Sequence, residues 1–272
     1  MLIEAIIFIT IIIVLYLLAI MPKLKKNTRH TELNGWHYAH RGLHNNKTDL
    51  PENSIKAFKA AAENHYGIEL DVQLTKDQVP VVIHDYNLKR PCHVDRKVSE
   101  TTYEELTNYK LFKSQETIPR FKEVMECING KVPLIIELKI PWKAVATCEA
   151  VSGILKDYKG IYCIESFNPF GLIWYKKHHP EIIRGQLSTD FVKEKIDGSK
   201  VQYFILKHLL FNFYTKPDFI AYQHEYKKNL SFTLCRKLYR TKAIAWTIKS
   251  QKDMDLCQKY FELFIFDSFL PN

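Results

Sequence analysis

From Trp36 to Asp267, short apolar runs of strand type alternate with helical stretches, and this alternation limits the fold more than any other property of the chain. The expected strands are Trp36–His40, Ile68–Leu74, Leu134–Leu138, Tyr162–Ser166, Ile183–Leu187, Phe219–Tyr222, Ala243–Thr247 and Phe264–Asp267. Helical patterns lie between most of them. In Ser54–Glu63, the apolar residues Ile55, Phe58, Ala61 and Ala62 recur at helical spacing. Trp142–Lys156, Asn168–His179 and Gln251–Tyr260 read likewise, and Asn168-Pro169 is an N-cap and first-turn pair. Strands alternating with helices need a parallel sheet with covered faces. Eight of them in one domain of about 240 residues predict an α/β fold, a closed TIM-type (β/α)8 barrel.

One further run, Val79–His84, lies outside that count. It follows Leu74 after only Thr75-Lys76-Asp77-Gln78, whereas a parallel crossover needs about a dozen residues. It is expected to return antiparallel to Ile68–Leu74 as an extra hairpin strand, bringing His84 back toward Asp71. Tyr86–Asn129 then forms a short crossover with helices near Thr102–Asn108 and Arg120–Ile128, leaving little lid over the mouth.

The first 21 residues have another character. Ala5 to Met21 is apolar apart from Thr10 and Tyr16, close to the lower limit of about 17 residues for a spanning helix. A cleaved signal peptide would carry basic residues before this run and small residues after it. Instead Lys23, Lys25, Lys26 and Arg29 follow it. Residues 1–21 therefore read as one uncleaved transmembrane anchor, 22–34 as a basic, polar linker, and 35–272 as the barrel domain. Positive residues behind the anchor place the domain in the cytoplasm, at the cell membrane. The six cysteines include no C-x-x-C pair and fit a reducing compartment. The net charge of +9 suits anionic headgroups, or simply a solvated lysine surface. Without an Arg/Lys stripe interleaved with aromatics, no nucleic-acid partner is expected.

The chemistry concentrates between Trp36 and Asp85. Glu69 and Asp71 are two apart on one strand and so share a face. Two carboxylates inside a barrel are costly unless neutralised. Either one divalent cation does this, Mg²⁺ or Ca²⁺ by the all-oxygen ligand set, with Glu137 as third ligand, or Arg41 and Lys139 do it without a metal. His40 ends the first strand and His84 the hairpin. Two imidazoles converging on one mouth supply the base and the acid that phosphodiester cleavage needs. Arg41 can make a forked contact to phosphate, and Gly42 lets the backbone turn beside it. Asp85 is read either as orienting its neighbours or as merely starting the next turn, the second being the expectation.

His40-Arg41-Gly42, Pro51-Glu52-Asn53-Ser54, Glu69-x-Asp71, Thr75-Lys76-Asp77, Val81-Val82-Ile83-His84-Asp85 and Glu137-x-Lys139 together resemble the glycerophosphodiester phosphodiesterase family. Ile118-Pro119, Ser166-Phe167-Asn168-Pro169 and Ala245-Trp246-Thr247 continue the resemblance, which runs from Trp36 to Pro271. It implies metal-dependent hydrolysis of glycerophosphodiesters to glycerol 3-phosphate and an alcohol. It also implies His40 and His84 as acid and base, and Glu69, Asp71 and Glu137 as metal ligands. Arg41 and Lys139 would face the phosphate, with Glu52 and Asn53 supporting the site from behind. A route through a cyclic phosphate, opened by water, is consistent with it.

The anchor and the short crossover shift the expected substrate toward a lipid-derived one. The alternative activity is phospholipase D- or C-like cleavage of a membrane lipid or lysolipid. Val201–Tyr214 reads as one helix apolar nearly all round, buried against the barrel or touching membrane. Trp246, ending a late strand, is expected to wall the pocket, or else to fill the core. A non-catalytic membrane scaffold would have lost some of His40, Glu69, Asp71, His84 and Glu137; all five are present.

Overall fold

The computed structural model describes residues 1–25, 28–141, 144–196 and 198–272. Eight parallel strands close into a ring: β1 (His37–His40), β2 (Gly67–Leu74), β4 (Leu134–Leu138), β5 (Tyr162–Ser166), β6 (Arg184–Ser188), β7 (Phe219–Gln223), β8 (Lys242–Ile248) and β9 (Leu263–Phe266). Pairing of β1 with both β2 and β9 makes the closure. β3 (Pro80–Val82) lies outside the ring and pairs antiparallel with β2, as the short turn before it requires. Each expected strand is present within a residue or two of its expected ends.

The helices are α1 (Leu2–Ile20), α2 (Ile55–Glu63), α3 (Lys89–Cys92), α4 (Tyr103–Leu106), α5 (Phe121–Ile128), α6 (Ala144–Leu155), α7 (Pro169–His178), α8 (Lys200–Lys207), α9 (Asn212–Thr215), α10 (Leu230–Lys237) and α11 (Gln251–Cys257). Residues outside these bounds act as caps: the Ser54 hydroxyl accepts from Ala57 N–H, and the Asn168 side chain accepts from Phe170 N–H. The first two residues of the expected Trp142–Lys156 helix lie outside the described residues.

Alternation along the strands divides the core in two. Outward residues such as Ile68, Leu70, Val72, Leu134 and Ile136 pack under the helices. Tyr38, Ile135, Cys163, Phe219, Ile244 and Ile265 fill the barrel interior. The same alternation turns His40, Glu69, Asp71 and Glu137 inward, near the C-terminal ends of their strands. The crossover after β3 has a small core of its own, in which Val81, Leu88, Val98, Leu106 and Ile118 are buried together.

One expectation needs correction. Val201–Tyr214 is not one helix: it breaks between α8 and α9, where Leu209 takes a left-handed φ of 56°. Nor is it apolar all round in its burial, since Leu206 and Leu209 are buried while Val201, Phe204 and Phe213 face outward. The stretch read as a linker also carries structure. Thr28–Leu33 forms a 3-10 helix, Leu33 is buried, and its carbonyl accepts from the Tyr38 hydroxyl. Lys26 and Asn27 of that stretch lie outside the described residues.

Candidate active site

Register brings the acids together. Asp71 on β2 sits opposite Glu137 on β4, and Glu69 sits opposite His40 on β1. One carboxylate oxygen from each of Glu69, Asp71 and Glu137 lies within 4.8 Å of the others, and all three residues are buried. Lys139 Nζ is 3.3 Å from Glu137 and 3.7 Å from Asp71. Arg41 donates its backbone N–H to Glu69 at 3.0 Å, and its Nε lies 3.3 Å from Asp71. Glu165, from the next strand, is buried at the edge of the cluster, and its Oε2 meets no hydrogen-bond partner among the described residues.

The electrostatics show a shortage of positive charge. Burial, then Asp71 and Glu137, push the Glu69 carboxyl well above the usual carboxylate range. Burial lifts Glu137 to about 7, with Lys139 pulling against it. For Asp71 burial is outweighed by His84, Lys139 and Arg41, which hold it below the usual range. Arg41 and Lys139 cannot by themselves neutralise four clustered acids, and Arg41 is shared with Glu52 at 2.8 Å. Three converging carboxylate oxygens with this deficit fit a hard divalent cation.

Both histidines are held by carboxylates. His40 Nδ1 is 3.3 Å from Asp267 Oδ2, and its Nε2 is 4.0 Å from Glu69. Burial, reinforced by Arg41, lowers the His40 pKa to about 4. His84 Nδ1 is 2.7 Å from Asp85 Oδ1, and burial lowers its pKa as well. Asp85 thus does more than start a turn: it orients His84 and is itself forked by Arg90. The hairpin returns as its length demands, with Ile83 N–H donating to the Asp71 carbonyl. Gln73 then pins the exit, its side-chain amide donating to the carbonyls of Ile83, His84 and Asp85 at 2.8, 2.9 and 3.0 Å.

Behind this layer, Glu52 receives Arg41 and a forked pair from Arg90, and these contacts outweigh burial to hold it down at about 2. Asn53 donates to Asp71 Oδ2 at 2.9 Å. Arg41 and Asn53 both adopt φ of 56°, joined by Asn53 N–H donating to the Arg41 carbonyl. Left-handed backbone at two non-glycine residues is strain that only a fixed surrounding sustains. Gly42, at φ 81°, has no such choice, because a Cβ there would meet the Ala57 backbone at 2.9 Å.

His40, Arg41, Glu69, His84, Glu137, Lys139 and Trp246 line one cavity of about 620 Å³. Glu52, Asn53 and Asp71 stand behind its wall. Trp246 packs edge-on against Phe167 with centroids 5.6 Å apart, and its indole N–H has no partner among the described residues. Leu187, Phe191 and Leu206 also line the cavity, together with the polar Thr189, Glu194, Gln202 and Gln223. Sequence reasoning missed Asp267, Arg90, Gln73 and Glu165. Glu165 alone carried a local signal, as an acid on the inward register of a strand.

Residues 40–261 match the glycerophosphoryl diester phosphodiesterase family, which is most of the chain. The chain belongs to that family. A glycerophosphodiester phosphodiesterase of Bacillus altitudinis is 37% identical over 170 residues, 58% of this chain and 68% of the relative. Human glycerophosphodiester phosphodiesterase 1 is 30% identical over 134 residues, 46% of this chain and 39% of the relative. Matches to curated family members thus span two thirds of one relative's length and well under half of another's. The family fold is also that of an Oleispira antarctica phosphodiesterase solved with sn-glycerol-3-phosphate (TM-score 0.69, 23% identity, 87% of this chain and 94% of that one). A Thermotoga maritima glycerophosphodiester phosphodiesterase is similar too (TM-score 0.62, 24% identity, 85% and 94%).

Proposed function

We propose that this chain hydrolyses glycerophosphodiesters to glycerol 3-phosphate and an alcohol. The observation that carries this reading is the pairing of a buried three-carboxylate cluster with two imidazoles, each fixed by its own aspartate, at one barrel mouth. Glu69, Asp71 and Glu137 would hold one divalent cation, Mg²⁺ or Ca²⁺. When bound, it supplies positive charge to the non-bridging oxygens of the phosphate. The product named in the Oleispira structure is the product this reaction would release.

The residues divide the work by position. Arg41 and Lys139 would bind the phosphate oxygens. Because Nδ1 of each histidine faces an aspartate, Nε2 is left for proton transfer. One of the two takes the proton of the glycerol hydroxyl next to the ester as that oxygen bonds to phosphorus. The bond to the alcohol breaks, and the other imidazole protonates the departing oxygen. Water then opens the cyclic phosphate with the roles reversed. Both histidines have lowered pKa values and are neutral at pH 7, so one must gain a proton as the substrate binds.

Residues 1–21 would anchor the enzyme in the cell membrane, with 22–34 leading to a cytoplasmic barrel domain over 35–272. A lysolipid substrate, cleaved in a phospholipase D-like sense, is the second reading. The apolar side chains of Leu187, Phe191 and Leu206 in the cavity lining support it, since a glycerophosphoalcohol needs no such wall.

The test is turnover of glycerophosphocholine and of lysophosphatidylcholine by the full chain, with Mg²⁺, Ca²⁺ or chelator, following product identity. His40→Ala and His84→Ala should each cost about 10²–10⁴-fold in kcat with the fold intact. Near-normal turnover in either variant removes that histidine from the mechanism, and full activity in chelator removes the cation.

A further inference from the structure

The apolar helix α1 does not end in a free tether. It is exposed from Leu2 to Leu15 and again at Leu18, but Ile20 is fully buried. The carbonyls of a helix's last turn point out of its C-terminal end and need donors. Here the barrel provides them. The Tyr239 hydroxyl donates to the Leu17 carbonyl at 2.9 Å, the Asn212 amide to Ile20 at 3.2 Å, and Lys216 Nζ to Met21 at 3.1 Å. Tyr16 adds a bond to Ser231 at 2.8 Å. Removing α1 would leave these groups unpaired and empty the Ile20 site, which argues that it is retained rather than processed away.

Around this seat the barrel flank is aromatic and exposed. Directly after Asn212, Phe213 and Tyr214 are 51% and 47% exposed, and Phe170 at the start of α7 is 59% exposed. Phe211 joins them, with ring centroids 6.2 Å from Phe170, 6.1 Å from Phe213 and 6.3 Å from Tyr214. Lys176 Nζ lies 5.0 Å over the Tyr214 ring and bonds its carbonyl. Aromatic rings with amine neighbours, beside the point where an apolar helix emerges, have the chemistry of the headgroup layer.

We propose that the α7–α9 flank lies in the headgroup layer of a phospholipid bilayer, so that the barrel rests on the membrane by this side instead of hanging from a tether. The inference rests on reading α1 as a span. It also gives the lysolipid reading a route, because α8, which carries the cavity-lining Tyr203 and Leu206, belongs to the same flank and presents Val201 and Phe204 outward.

The full chain would be reconstituted in vesicles of phosphatidylcholine and phosphatidylglycerol. A fluorophore would be placed at Phe213→Cys, or at Lys122→Cys on α5 across the barrel, in a Cys127→Ser background. Nitroxide-bearing lipids should quench the label at 213 several-fold more than the label at 122. Equal quenching at both positions overturns the proposal, as does a label at 213 shielded from both lipid and aqueous quenchers, which would mark a second copy of the chain on this face. Replacing Phe170, Phe213 and Tyr214 together by serine should lower turnover of vesicle-borne lysophosphatidylcholine and spare soluble glycerophosphocholine; an equal loss on both substrates overturns it. If the unmodified protein turns over neither substrate, the proposed reaction fails while the quenching result still decides the docking.

Discussion

His40 Nδ1 and Asp267 Oδ2, 227 residues apart in the chain, lie 3.3 Å from each other at the seam where β9 closes the barrel on β1. The contact sets which nitrogen of His40 faces the acid cluster. Asp267→Asn keeps the shape but loses the charge that favours the imidazolium. It is expected to lower kcat about 10–100-fold with little change in KM, by analogy with other buried partners that orient histidines. A pH–rate profile on glycerophosphocholine checks this, since damage to the fold alone would not displace its limbs.

Cation binding should be visible without any assay of turnover. At a hundredfold excess over Kd, a bound cation adds about 2.7 kcal/mol of stability, which for a domain of this size is roughly 5–10 °C in Tm. Thermal melts of chelator-treated protein with Mg²⁺ or Ca²⁺ restored should show that rise. Glu137→Gln should remove most of it.

Glu52 links the site to acid stability. Its folded pKa of about 2 lies below its ordinary 4.5. A depressed carboxyl contributes stability that is complete above pH 4.5 and is lost as pH falls through 2. The displacement corresponds to about 3 kcal/mol at neutral pH. Glu52→Gln should therefore be destabilised at pH 7, and its stability should converge with that of the parent as pH approaches 2. Denaturant unfolding at pH 7, 5 and 3 measures the approach.

Gln73 holds the loop carrying His84 through three backbone carbonyls. Gln73→Leu leaves buried acceptors without a donor and should cost about 1–3 kcal/mol. Because the loop also aims the imidazole, kcat should fall more than KM rises. Urea unfolding together with steady-state kinetics separates the two effects.

The strands and most helices were readable because burial imposes its period on the residues themselves. Glu69 and Asp71 announced a shared inward face, and the four-residue turn after Leu74 forced a hairpin. Asp267 carried no such mark. Its partner is remote in sequence, and an aspartate just past a strand reads as ordinary turn chemistry. The orienting reading of Asp85 was the less expected of two for the same reason, since adjacent residues face one another only after the strand has ended. Arg90 sits on a four-residue helix that no periodicity could identify. The break inside Val201–Tyr214 falls on Leu209, a left-handed residue with neither glycine nor proline to signal it.

The seam between β1 and β9 also bears on how activity arises during synthesis. His40 is translated early, but the aspartate that aims it belongs to the last strand of the ring. That contact cannot form before the last strand of the ring has been synthesised. A chain stalled on the ribosome before β9 would carry all three acids, both imidazoles and no aimed His40, so the appearance of turnover would time the closure of the ring.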